Sequence, residues 1–123
     1  LPEVDFAIEA GGEAAGGIGL RLGQDVERFS AEIGYWLGEP FWGRGIATAA
    51  LSATVKHAFA ELGLIRIFAI PFAGNEASLR VLEKAGFLRE GVLRRSAVKE
   101  GRVLDQLLYA VTREEPYPDL LSR

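Results

Sequence analysis

The sequence predicts an α/β fold of the α+β kind: a mixed, mostly antiparallel sheet with one central parallel pair, flanked by helices. Three observations point there. The segments run in the order three strands, helix, strand, helix, two strands. A strand–helix–strand step through a long helix implies a parallel pair. The early meander and the late hairpin make the rest of the sheet antiparallel.

Each segment has a local reason. VDFAIEA alternates from Val4 to Ala10 as a strand does. The cluster GGEAAGG reads as a turn, with glycine where positive φ is cheap. IGLRLGQ is then the return strand and ERFSAEIGYWLGE the third. A helix runs from about Gly45 to Leu62, with Leu51, Val55, Ala58 and Leu62 at helical spacing and Lys56 and Glu61 off that stripe. Gly63 ends it. LIRIFAIPF is a strand of β-branched and aromatic residues closed by Pro71. Asn75 caps a shorter helix, EASLRVLEKA, which stops at Gly86 in the C′ position. Two strands follow, roughly Phe87–Arg95 and Val103–Thr112, joined through VKEGR. The tail EEPYPDLLSR has two prolines and little periodicity.

Bulk properties narrow the function. A chain of 123 residues makes one compact domain. Its apolar runs fall far short of the about 20 residues a membrane span needs, and its first residues lack the pattern of a signal peptide. Cytoplasm is the default and no membrane partner is expected. A net charge of −3 argues against nucleic acid, because no basic field is available to displace counterions. The absence of cysteine excludes disulfides, thiolate metal sites and a cysteine nucleophile, and no metal is expected. The chain has no methionine and opens on Leu1, so the expectation is that an N-terminal segment precedes it.

The stretch PFWGRGIATAALSATVKHAF raises the functional question. A triphosphate loop needs a lysine and a hydroxyl after its last glycine, whereas Gly45 is followed by Ile46, Ala47 and Thr48. A dinucleotide loop would place a third glycine at Thr48 and an acidic residue where Ile70 and Pro71 end the next strand. The remaining ligand-binding reading is a short loop whose amides cradle a pyrophosphate at the positive end of the helix, with Arg44 adding a cation between Gly43 and Gly45. The alternative is a tight turn without a ligand.

Two motifs decide between them. WGRGIA resembles the acetyl-CoA loop of the GNAT N-acetyltransferase superfamily, with Trp42, Gly45 and Ala47 on its pattern positions and Trp42 in place of the usual Gln or Arg. About thirty residues on, GNEASLRVLEKAGF resembles the second signature of that superfamily. Trp42, the AEIGYWL strand and Ser78 look like the RimJ/RimL branch, whose best-known members acetylate protein N-termini. The resemblance covers roughly Glu27 to Val111. It implies one acetyltransferase domain over residues 1–123, lacking the first strand and first two helices of the family fold. It also implies acetyl-CoA as co-substrate, a primary amine as acceptor (a protein N-terminus or a small molecule), and admits a homodimer. A non-catalytic acyl-CoA-binding or sensor domain is the alternative, and a dinucleotide-binding fragment a distant third.

The resemblance also assigns residues. Amides between Trp42 and Thr48, through Gly43, Arg44, Gly45, Ile46 and Ala47, would hold the pyrophosphate. The parallel pair would splay, with a bulge, so that amides of Tyr35, Trp36 and Leu37 bind the thioester carbonyl and the pantetheine arm. Asn75 would contact the pantetheine besides capping its helix, and Arg80 and Lys84 would reach the 3′-phosphate or else form a solvated face. Leu82 stands where many members place a tyrosine acid, which leaves Ser78 as the candidate for protonating the thiolate. From the strand pleat, Ile33, Tyr35 and Leu37 share a buried face, while Glu32, Gly34 and Trp36 share the other. Glu32 is therefore a candidate general base, or an ordinary salt-bridged glutamate. Asp105 and Tyr109 share a face that lines the acceptor groove or closes the sheet. His57, the single histidine, is read as structural.

Overall fold

The computed structural model describes residues 3–114. Six strands form one sheet in the order β1-β2-β3-β4-β6-β5. They are β1 (Glu3–Ala10), β2 (Glu13–Leu22), β3 (Ser30–Leu37), β4 (Arg66–Ala69), β5 (Leu88–Lys99) and β6 (Arg102–Thr112), with α1 (Ile46–Glu61) between β3 and β4 and α2 (Glu76–Lys84) between β4 and β5. Only β3 and β4 run parallel. The prolines of the tail lie outside the described residues.

Several boundaries differ from the sequence reading. The turn in GGEAAGG is Gly11–Gly12 alone, both at positive φ. Residues from Glu13 on pair with β1 instead, around an irregularity between Ile8 and Glu9. The segment before Ser30 is a short 3-10 turn at Asp25–Glu27 rather than strand. The late hairpin is longer than its pattern, since β5 runs on to Lys99 and turns at Glu100–Gly101.

Most buried positions of the sheet fall on one face, Ala110 beside Phe68 being buried on the other. Leu20 lies opposite Ile33, Ala31 beside Ile67, and Ala69 opposite Tyr109, and all six join one core with Leu51 and Ala58 of α1 and Leu79 and Leu82 of α2. Burying each large aliphatic side chain stabilises by about 1.5–3 kcal/mol, so this face binds both helices. Thr54, the buried polar residue of α1, satisfies its hydroxyl by donating to the Ala50 carbonyl at 2.8 Å. On the other face an Arg66–Glu90 fork joins β4 to β5 across β6 with contacts of 2.7 and 3.0 Å. That pairing lowers the Glu90 pKa and raises that of Arg66. Both groups are solvent-accessible, so the pair is worth only tenths of a kcal/mol to about one.

The parallel pair is short, and this shapes the molecule. β3 meets β4 only at Ser30–Glu32 against Arg66–Phe68. Beyond that, β3 stays with β2 as far as Leu37 opposite Gly16. The chain after β4 stays with β6: Leu107 donates to the Pro71 carbonyl at 2.9 Å and Ala73 to that of Asp105 at 3.0 Å. Pro71 has no N–H to offer β3. The two strands therefore part, and a gap opens between them.

Candidate functional site

The backbone facing this gap is fixed by strand geometry. Carbonyl and amide of one residue point to the same side of a strand, and alternate residues share a side. The Phe29 carbonyl accepts from Ile65, and the Gly38 amide donates to Ala15 of β2. Tyr35 and Leu37 thus direct their amides into the gap, where among the described residues no strand pairs with them, whereas the amide of Trp36, expected to join them, points the other way toward Gly17 of β2. The register of β3 against β2 is continuous over these residues. Divergence, not the expected bulge, frees these donors.

At the end of β3 lies the glycine loop. Glu39–Phe41 forms one 3-10 turn, and Gly43 and Gly45 follow at φ of +71° and +74°. An added Cβ at either glycine would meet nothing within 4 Å. They are present for the left-handed turn and for open approach, not to avoid a neighbour. Trp42 is exposed, yet its indole N–H donates to the Leu37 carbonyl at 2.7 Å. A tryptophan at this position thus ties the loop to the edge of the gap.

The loop leads into an uncapped helix. Gly45 supplies no side-chain cap, and the first turn of α1 holds no acidic residue. The first helical bond runs from Ala49 to the Gly45 carbonyl at 3.1 Å. The amides of Ile46, Ala47 and Thr48 precede that bond and lack an intrahelical acceptor. Such amides favour an anion, reinforced by the helix dipole. The exposed Arg44 lies beside them, its guanidinium 5.6 Å from the Phe41 ring centre.

The far wall of the gap is the start of α2. Asn75 Oδ1 accepts from the Ser78 amide at 3.2 Å, a side-chain N-cap on an exposed residue, so the side-chain NH2 of Asn75 is not used by the cap. Ser78 Oγ lies 3.0 Å from the Tyr35 hydroxyl, so the helix start is bonded to β3. Burial pushes the Tyr35 pKa up, and the bond to Ser78 offsets this only in part. Leu82 is buried in the core. Arg80 and Lys84 are both exposed on α2.

The opposite face of β1–β3 is lined with small residues. Three cross-strand rows build it: Glu3–Arg21–Glu32, Asp5–Gly19–Gly34 and Ala7–Gly17–Trp36. The glycines let neighbouring side chains lie down on the sheet. A Cβ at Gly17 would stand 2.7 Å from the Trp36 indole nitrogen, and one at Gly19 would meet the Asp5 carboxylate. The result is an open hollow of about 460 Å³. Arg21 sits between two carboxylates, 3.6 Å from Glu3 and 3.9 Å from Glu32. Glu32 is thus loosely paired and faces this hollow.

Other expectations change here. Tyr109 is fully buried on the helix side, accepting from Arg89 at 3.0 and 3.2 Å and donating to Glu83 at 2.9 Å. Asp105 is exposed and takes the Arg95 amide at 2.7 Å, holding a residue at positive φ in β5. Neither borders the hollow beside Glu32. His57 is exposed and meets the Phe6 ring edge-on at 5.6 Å. The Tyr35 hydroxyl was not read from the sequence as part of the site. Its partner lies 43 residues away. The available signal was a phenol on a buried face, which needs a polar partner.

Replacing Asn75 with alanine separates its two readings. Loss of the cap should cost about 1 kcal/mol of stability. A parallel loss of acetyl-CoA affinity, by about threefold to fivefold for one neutral hydrogen bond, is expected in a calorimetric titration. A lower melting temperature with unaltered affinity makes Asn75 a cap only.

Comparison with known proteins gives this geometry a context. Residues 2–88 match the model of the acetyltransferase (GNAT) domain. The chain is 40% identical over 112 residues to the putative ribosomal N-acetyltransferase YdaF of Bacillus subtilis, covering 88% of this chain and 61% of that one. It is 39% identical over 82 residues to the ribosomal-protein-serine acetyltransferase of Escherichia coli, covering 66% of this chain and 45% of the relative. The structure of Mycobacterium smegmatis RimJ in complex with CoA-disulfide superposes with a TM-score of 0.83 at 38% identity, over 89% of this chain and 53% of that one. The chain thus spans between about half and three fifths of the length of these relatives.

Proposed function

Since the chain belongs to the GNAT acetyltransferase family, in its RimJ/RimL-like branch, we propose that it moves an acetyl group from acetyl-CoA to a primary amine by direct attack in a ternary complex. The observation that carries this reading is the gap between β3 and β4 with the uncapped start of α1 beside it. Unpaired amides suited to a carbonyl border this gap, and amides suited to a pyrophosphate open the helix that follows β3. The names of the related ribosomal-protein acetyltransferases favour an amine of a protein as acceptor.

In this reading the amides of Ile46, Ala47 and Thr48, with the Trp42–Gly45 loop and Arg44, bind the pyrophosphate. The side-chain amide group of Asn75 bonds the pantetheine, and Arg80 and Lys84 offset the charge of the 3′-phosphate, while the Trp36 ring lies over Gly17 in the hollow on the amine's side. The amides of Tyr35 and Leu37 hold the thioester carbonyl, and a fixed donor aimed at a developing oxyanion is worth about 3 kcal/mol. The amine approaches from the hollow in front of Glu32 and loses its proton to that carboxylate, directly or through one water. As its nitrogen bonds the carbonyl carbon, the carbon–sulfur bond breaks. The electron pair collects on sulfur, where the Ser78 hydroxyl donates to it. A thiol of pKa about 8.5 is a tolerable leaving group with that assistance.

The test is release of free CoA thiol from acetyl-CoA on adding peptides with free N-termini, polyamines or aminoglycosides. Amine-dependent release is expected. Tight acetyl-CoA binding without release under any of these acceptors replaces this reading with a non-catalytic acyl-CoA-binding domain.

A further inference from the structure

Ser78 is held twice. Its backbone amide is fixed by Asn75, and its side-chain oxygen lies 3.0 Å from the phenol of Tyr35. Two hydroxyls in one hydrogen bond have only one donor between them. Each carries one proton and two lone pairs. If Ser78 donates, its single proton is spent on Tyr35 and none remains for a ligand. If Tyr35 donates, the serine proton is free to point elsewhere while its oxygen stays anchored.

We propose that Tyr35 is a positioning residue for Ser78: its phenol donates to the serine oxygen, which turns the serine O–H toward the sulfur leaving as CoA. The proposal rests on the acetyl-transfer reading above. Three observations carry it. Tyr35 stands on the helix-facing side of the same strand whose amides border the gap, half-buried against α2. Leu82, one turn beyond Ser78 on α2, is buried and has no hydroxyl to give. A phenol is protonated at neutral pH, and burial moves its pKa further from neutrality, so it remains able to donate. The protons balance through solvent: the amine passes one to Glu32, which releases it to water, and water returns one to the sulfur, whose developing charge the serine O–H stabilises.

The competing account is that the Tyr35–Ser78 bond only braces β3 against α2. A double-mutant cycle with acetyl-CoA and a peptide of free N-terminus separates the two. Tyr35→Phe keeps the ring and its packing and removes the donor. It is expected to lower kcat about fivefold, the worth of one neutral hydrogen bond, with KM for acetyl-CoA nearly unchanged. In the Ser78→Ala background the same substitution should change kcat no further. A full Tyr35→Phe effect in both backgrounds, or one confined to KM and melting temperature, overturns the proposal. Undiminished kcat in Ser78→Ala overturns it as well, while leaving acetyl transfer intact. Absence of thiol release by the wild-type protein removes both readings together.

Discussion

Gly45→Val is expected to weaken acetyl-CoA binding at least tenfold, about 1.4 kcal/mol, in a calorimetric titration. Nothing in the protein stands within 4 Å of the position a Cβ would take, so valine collides with no part of the fold itself. The space it fills lies at the mouth of α1, where the unpaired amides of Ile46, Ala47 and Thr48 begin. A ligand phosphate seated on those amides would have to approach through it. Valine also meets a backbone cost, because φ is +74° at this position and β-branched residues are outliers there. Gly86→Val isolates that cost. Gly86 has φ of +91° and equally open space, but lies past the far end of α2. It should lower the melting temperature and leave affinity unchanged. A folded Gly45→Val protein with wild-type affinity takes the loop out of the binding site.

What could be read from the sequence, and what could not, divides along the range of the interactions. The glycine loop, the Asn75 cap and the Gly86 stop are set by neighbouring residues, and their positions follow from local backbone preference. The faces of β3 follow from a two-residue period, so the opposite placement of Tyr35 and Glu32 was legible too. The gap was not legible from local pattern. It arises because Pro71 to Ala73 continue along β6, an arrangement held by Leu107 and Asp105 more than thirty residues later. For the same reason the resemblance suggested a bulge where the strand merely diverges. Tyr109 misled because strand parity shows which residues share a face but not which face is covered. Arg89 and Glu83 close over its hydroxyl from β5 and α2. The glycines before Ile18 look like a turn by composition. Pairing of β2 with β1 on one side and β3 on the other overrides that preference. Gly17 and Gly19 serve instead as a floor on which Trp36 and Asp5 lie.

Glu32→Gln is the substitution with the largest expected effect on turnover. Glutamine keeps the length and shape of the side chain and removes the proton acceptor. Its cost depends on the amine. An α-amine of pKa about 8 is roughly a tenth neutral at pH 7, whereas a lysine amine near 10.4 is neutral only about once in 2,500. A positioned base contributes about 10² to 10⁴ in rate, so an N-terminal acceptor places the loss near a hundredfold. The loss should shrink as pH rises and the amine supplies its own neutral form. The row Glu3–Arg21–Glu32 provides the control. Arg21 is exposed and 3.9 Å from Glu32, a distance at which an accessible pair is worth less than about 1 kcal/mol. Arg21→Gln should therefore alter kcat by no more than a few-fold. If Glu32→Gln binds acetyl-CoA normally and keeps wild-type turnover from pH 6 to 9, the proton leaves to solvent and Glu32 is only the partner of Arg21. If both substitutions lower turnover equally, the charge row orders the hollow as a unit, and the base lies elsewhere.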